Sequence, residues 1–193
     1  MHTPEPRIMT ARQRELFDAI LTTFLREGFA TFTIDGATKR FRCSKSTLYA
    51  LGTTRDEVIR RILVSFFREV ARSTDAAAAG RRTDTGRLEA YFSTMTSSLA
   101  PASPAFMRDV STEPVAREVY ATNTRAATER IASIIDSGIN SGEFRPGPTR
   151  FLAEIIRAAM ERIEQGENLG EVDPRHAYEE LGRLVLHGIA QRR

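Results

Sequence analysis

The chain has 193 residues, a net charge of +3 and 41% hydrophobic residues, enough apolar content for one ordinary domain or two small ones without disulfides or metals. A single cysteine, Cys43, excludes an internal disulfide and a CxxC site, and His2, His176 and His187 are too scattered for a metal cluster. No apolar run approaches the roughly 20 residues of a membrane span, and "MHTPEPRIMTARQ" lacks the apolar core of a signal peptide, so a cytoplasmic location is expected.

The charge is unevenly spread. Residues 1–61 carry 11 Lys+Arg against 7 Asp+Glu, net +4, and the remainder carries 17 against 18, net −1. Both lysines of the chain, Lys39 and Lys45, fall with Arg40 and Arg42 in an acid-free run over 38–49. Such a run suits a solvated helix face as well as a nucleic-acid surface, so the elements around it must decide.

Leu16, Ile20 and Phe24, spaced i, i+4, i+8 and flanked by Phe17 and Leu21, predict a helix over about 9–27 that stops at Gly28. A turn between Phe29 and Phe32 follows. Thr33 then caps a short helix over 34–40, and Ser44 caps another over 45–50. Two short helices, a tight joint and a basic second member describe a helix-turn-helix. Thr54 with Glu57 forms a capping box that opens a fourth helix through Val58, Ile62, Phe66 and Val70.

Further on, "RSTDAAAAGRRTDTG" reads as the joint between two domains. Beyond it the pattern is helical: Leu88, Phe92, Met95 and Leu99, a break at "PASP", then a short segment with Phe106, Met107 and Val110. Pro114 opens a long helix through Val119, Ile131, Ile135 and Ile139, which "NSGEFRPGP" ends. Two last helices carry Phe151, Ile155, Ala159 and Ile163, and, after Pro174, Tyr178, Leu181, Val185 and Ile189. There is no convincing strand and no internal repeat.

The stretch "TIDGATKRFRCSKSTLYALGTTRDEVI" resembles the DNA-binding signature of the tetracycline-repressor (TetR) family, over about residues 12–65. The matching residues are Thr33, Ser44, Thr47, Leu48, Tyr49, Thr54, Arg55, Asp56, Glu57 and Val58. The chain departs from the family pattern at Ala37 and Phe41, whose volume changes oppose each other, at Arg42 in place of the turn glycine, and at Gly52 in place of an aromatic. A positive φ at Arg42 would cost about 1 kcal/mol or more, and Gly52 is expected to weaken the joint to the fourth helix. Cys43 takes the family's apolar turn position.

The resemblance implies an all-α protein, with an N-terminal three-helix helix-turn-helix DNA-binding domain in 1–55 joined to a C-terminal helical effector-binding and dimerisation domain in 56–193. Thr33, Tyr49, Thr54 and Arg55 would hold phosphates, with Lys39 and Arg42 adding charge beside them. Ser44 starts the recognition helix, and Lys45, Ser46 and Thr47 would face the major groove. The implied partners are a palindromic double-stranded operator, a second copy of the chain and a small-molecule effector, with no cofactor and no membrane.

Tyr91, Phe92, Met95, Phe106, Met107 and Tyr120 are candidates to line the effector cavity, with Asn123 or Arg125 as a polar anchor. Phe151, Ile155, Ala159, Leu181, Val185 and Gly188 are candidates for the dimer interface, where Ala158, Ala159, Gly182 and Gly188 would permit close helix contact. The sequence contains no glycine-rich phosphate loop, metal-ligand spacing or nucleophile elbow, which argues against an enzyme. The rival reading is a helical ligand-binding or interaction module with degenerate, non-specific DNA binding.

Overall fold

The computed structural model describes residues 9–165 and 174–190. The described residues form nine helices and a single isolated β-bridge between Phe144 and Ala190. His2 and the charges of the first residues lie outside them.

Each helix of the head begins with the cap its sequence offers. Helix α1 (Ala11–Glu27) opens on a capping box between Thr10 and Gln13 and buries Leu16, Phe17, Ile20 and Phe24. Helix α2 (Ile34–Arg40) starts where Thr33 Oγ1 accepts the Gly36 N–H at 3.1 Å. Helix α3 (Lys45–Tyr49) starts where Ser44 Oγ accepts the Thr47 N–H at 3.1 Å. Between α2 and α3, Arg42 is the one non-glycine residue with positive φ among the described residues, at 47°. The backbone there keeps the left-handed conformation although the glycine is gone.

Two local expectations change. Glu57 reaches past Thr54 to the Thr53 N–H and hydroxyl, at 2.7 and 2.6 Å, so the capping box is displaced by one residue. Gly52 tightens the joint to the fourth helix instead of weakening it. A Cβ there would lie 2.6 Å from the Val58 nitrogen, so glycine lets the loop rest on the first turn of the next helix.

That helix, α4 (Arg55–Ala79), runs straight through most of the stretch expected to be a domain joint. Alanine is the best helix former, and Thr74 and Ala78 bury themselves against the body. Only residues 80–83 separate α4 from α5 (Asp84–Leu99), which packs beside it. Helix α4 therefore belongs to both parts of the molecule.

The body is completed by α6 (Pro104–Thr112), α7 (Pro114–Ser141), α8 (Thr149–Gln165) and α9 (Pro174–Ile189). Proline opens both α6 and α7, where its missing N–H costs nothing. Gly182 on α9 faces Phe92 of α5, and a Cβ there would lie 2.7 Å from the ring. Its smallness thus serves packing within one chain, which corrects the expectation of a role between copies.

Head and body share one contiguous core from Leu16 to Ile189. Its spine is a run of aromatic rings: Phe24 to Phe29 at 5.2 Å, Phe29 to Phe106 and Phe106 to Phe66 at 5.7 Å, Phe66 to Phe67 at 5.2 Å, and Phe67 to Tyr120 at 5.5 Å. Most of these contacts are edge to face, the favoured arrangement for aromatic pairs. The run passes from α1 through α6 to α4 and ends on α7.

Candidate DNA-reading head and ligand cavity

Leu48 of α3 is fully buried and Leu51 nearly so, which anchors the short helix by one face. The opposite face is open: Lys45, Ser46 and Tyr49 are exposed and Thr47 is half-buried. Tyr49 is 43% exposed, so it is not a core ring. The Ser44 hydroxyl lies 2.8 Å from the hydroxyls of Ser46 and Thr47, gathering three hydroxyl groups at the start of the helix. At the other end, Arg61 of α4 donates to the Ala50 carbonyl at 3.0 Å and supplies the positive charge a helix C-terminus favours. Sequence reasoning missed Arg61, whose partner lies a turn and a loop away.

The cations of the head divide into engaged and uncommitted ones. Arg40 grips Glu27 with two hydrogen bonds of 2.7 and 2.8 Å, and with Arg26 it holds that carboxyl down to about 2. Lys45 pairs with Asp35 of α2 at 2.7 Å, which lowers the Asp35 carboxyl and raises the lysine. Both partners are well exposed, so the pair is weak and DNA can compete for the lysine. Lys39 and Arg42 are exposed and make no ion pair among the described residues. Thr33 and Thr54 are exposed N-caps whose hydroxyls face the starts of α2 and α4.

Arg55 does not fit the phosphate role expected of it. Its guanidinium donates to the carbonyls of Phe32 at 3.0 Å, Ala30 at 3.1 Å and Phe29 at 3.3 Å, and to the carboxylates of Asp56 at 3.1 Å and Glu113 at 3.0 Å. Every nitrogen is used, so a phosphate would have to break these contacts.

In the body, a cavity of about 110 Å³ opens between α4, α5, α7, α8 and α9. Of the eight candidate lining residues, Tyr91, Met95, Tyr120 and Asn123 reach it. Four do not. Phe92 packs on Gly182, Phe106 is a link in the aromatic spine, Met107 packs against the core beside it, and Arg125 lines a surface groove between α7 and α8. Sequence reasoning missed Phe67, Asp75, Arg130, Met160 and Tyr178 of the lining.

The cavity has two chemically different ends. Deep inside, the Tyr120 and Tyr178 hydroxyls share a hydrogen bond of 2.7 Å, and burial raises both phenols above their ordinary value. Towards solvent, Asp75 and Arg130 pair at 2.8 Å, and burial pushes the Tyr91 phenol of the same lining up to about 12. Near the tyrosine pair sits Glu164 of α8, only 8% exposed. Burial pushes its carboxyl from 4.5 up to about 7, with Glu161 adding to the rise and Arg117 opposing it.

A carboxyl raised on folding holds its proton longer in the native state. Its penalty is therefore absent below the unfolded value of 4.5, grows as pH rises from there to about 7, and is fully present above that. Glu164→Gln is expected to raise stability at pH 8 by about 1 kcal/mol, allowing for partial solvent screening, with no gain near pH 4. Thermal melts at the two pH values check this. An equal gain at both would contradict it.

On the outer face of the body, α8 is apolar on two sides. Ile156, Met160 and Ile163 are buried, while Phe151 and Ile155 stand 60% and 53% exposed. Leu184 of α9, a residue missing from the candidates, is 71% exposed. Gly188 opens onto the same solvent, Ala159 and Val185 are half-buried, and Leu181 lies in the protomer's own core. Leu181 is therefore not available to a partner surface, whereas Leu184 joins Phe151 and Ile155 among the exposed apolar side chains.

A helix-turn-helix head with an exposed second helix, set on a helical body that encloses a cavity, defines the class to which this molecule belongs structurally. Its fold is that of the TetR-family transcriptional regulators. A transcriptional regulator of the TetR family from Agrobacterium tumefaciens superposes with a TM-score of 0.71 at 13% identity, covering 94% of this chain and 98% of that one. A putative transcriptional regulator from Saccharomonospora viridis, in complex with choline, gives 0.72 at 15% identity over 95% and 100% of the chains. In sequence, the chain is 24% identical over 142 residues to the uncharacterized HTH-type transcriptional regulator YfiR of Bacillus subtilis strain 168, covering 70% of this chain and 69% of that protein. No family model matches. Among the described residues, no helix is long and apolar enough to cross a membrane.

Proposed function

We propose that the protein is a cytoplasmic, homodimeric, DNA-binding transcriptional regulator, a repressor that leaves a palindromic operator when a small molecule enters the body cavity. The observation that carries this reading is the exposed face of α3, with Ser46 and Tyr49 open to solvent, together with the exposed, uncommitted cations Lys39 and Arg42 on the end of α2 and the turn that precedes α3. Hydroxyls and exposed cations at a helix start are suited to phosphates, while side chains of the first turn are placed for base edges. Thr33, Ser44 and Thr54 would assist at the helix starts, and Thr47 and Lys45 would face the groove once Asp35 yields the lysine.

The cavity accepts a compact, largely apolar ligand with one hydrogen-bonding group directed at the tyrosine pair. Its effect is a population shift: the ligand favours a dimer whose two recognition helices no longer match successive major grooves. The Lys45–Asp35 pair favours the rival module with non-specific DNA binding, because it places an acid at the reading surface.

Lys39→Ala and Arg42→Ala test the phosphate face. Each is expected to weaken binding to all DNA sequences alike and to flatten the dependence of log K on log salt by about one unit. Slopes identical to the parent protein would remove both residues from the interface. Arg55→Ala, by contrast, should act through the fold and leave the slope of the folded fraction unchanged.

A further inference from the structure

Arg55 is the first residue of α4, and Glu113 immediately precedes α7. Glu113 stands at the N-cap of α7 yet makes no side-chain cap hydrogen bond. Its carboxylate goes instead to Arg55, 58 residues away. The pair is the first rung of a ladder between the two helices. Arg60 and Glu118 form the next rung at 2.7 Å, and Phe67 and Tyr120 the third at 5.5 Å. The third rung is cavity wall.

The head is gripped at the first rung. Arg55 holds the carbonyls of Phe29, Ala30 and Phe32 from one side. From the other side Asp109 of α6, 8% exposed, accepts the N–H groups of Phe29 and Ala30, the latter at 2.7 Å. The backbone N–H of Ser103, before α6, donates to the Leu25 carbonyl of α1 at 2.8 Å. The loop 28–32 therefore has two of its donors, Phe29 and Ala30, fixed by α6 and three of its acceptors by α4, and it leads directly into the cap of α2.

We propose that Arg55, Glu113 and Asp109 form a clamp on residues 28–32 through which the contents of the cavity set the position of the helix-turn-helix. This rests on the cavity being the effector site of the proposed regulator. A ligand that spreads α4 and α7 at Phe67 and Tyr120 also acts on their starts, which the Arg55–Glu113 contact of 3.0 Å ties together. The three carbonyls held by Arg55 move with it, and α2 and α3 follow. Arg55 and Glu113 are positioning residues in this scheme and touch neither ligand nor DNA.

Amide hydrogen exchange on the full-length protein tests the clamp without a known effector. Ala127→Leu partly fills the cavity, and Tyr178→Phe removes a hydroxyl from its deep end. In the parent background each is expected to change exchange at residues 29–32 and 45–49 at least about threefold. Glu113→Gln is expected to speed exchange there roughly tenfold, as the loss of one charge-assisted hydrogen bond implies, and to abolish the head's response to both cavity variants. Protection in α5 and α8 should be unchanged by Glu113→Gln. A response of the same size in the Glu113→Gln background, or none in the parent, overturns the clamp. If Glu113→Gln fails to fold, Arg55→Lys, which keeps the charge but loses the fork, is read the same way. Recovery of an operator by the protein while the exchange response is untouched would sink the clamp alone, and an abolished response in a protein that selects no operator would sink the regulator reading alone.

Discussion

Replacing Gly28 with alanine is expected to cost the fold about 3 kcal/mol or more, read as a lower denaturant midpoint at unchanged slope. Gly28 ends α1 at φ 80°, ψ −174°, a region that is essentially closed to residues with a side chain. A Cβ would also enter the space of the Asp109 carboxylate and approach the Ala105 carbonyl to 3.2 Å. Moving Asp109 leaves the N–H groups of Phe29 and Ala30 without their acceptor, and Phe29 is buried. Backbone strain and lost hydrogen bonds thus fall on the same substitution. A loss below about 1 kcal/mol would mean that the loop 28–32 is not held as described.

The second large effect is on assembly. Phe151→Asp combined with Leu184→Asp is expected to convert a dimer to a monomer by sedimentation and to lower operator affinity at least about a hundredfold, because one short reading helix contributes few contacts alone. Both side chains are well exposed in the protomer, so the double variant should fold with a melting temperature close to that of the dissociated parent. Large apolar side chains left exposed on the outer helices suit an interaction surface. A variant that sediments like the parent protein would move the interface elsewhere.

Sequence is legible where the chain decides locally. Thr33, Ser44 and Thr54 announce three helix starts because a cap acts within three residues of itself, and Pro114 and Gly28 announce a start and a stop in the same way. The stretch after residue 72 reads as a joint because its small polar residues and Gly80 resemble a loop, whereas the helix preference of its alanines and the burial of Thr74 and Ala78 against other helices hold it in α4. Arg55 takes a different role from the expected one for a related reason. Its carbonyl partners lie 23 to 26 residues back and Glu113 lies 58 residues ahead, distances over which spacing carries no signal.

The cavity and the outer face are legible only in part. Apolar spacing identifies helix stripes, but it does not say which of two apolar stripes on α8 faces the core and which faces solvent. Tyr178 reads as core in the sequence and proves to be core and cavity wall at once. Leu184 escapes the pattern because it falls off the stripe formed by Tyr178, Leu181 and Val185, and that offset is what exposes it.

Selection of bound sequences from a random double-stranded DNA pool, at roughly physiological salt where non-specific binding is weak, tests the central claim most directly. The expected result is enrichment of a palindrome with half-sites about one helical turn apart, recovered by the parent protein and lost by the Phe151→Asp, Leu184→Asp double variant. A well-folded dimer that enriches no sequence would contradict the regulator reading and identify the protein as a helical interaction module with a degenerate reading head.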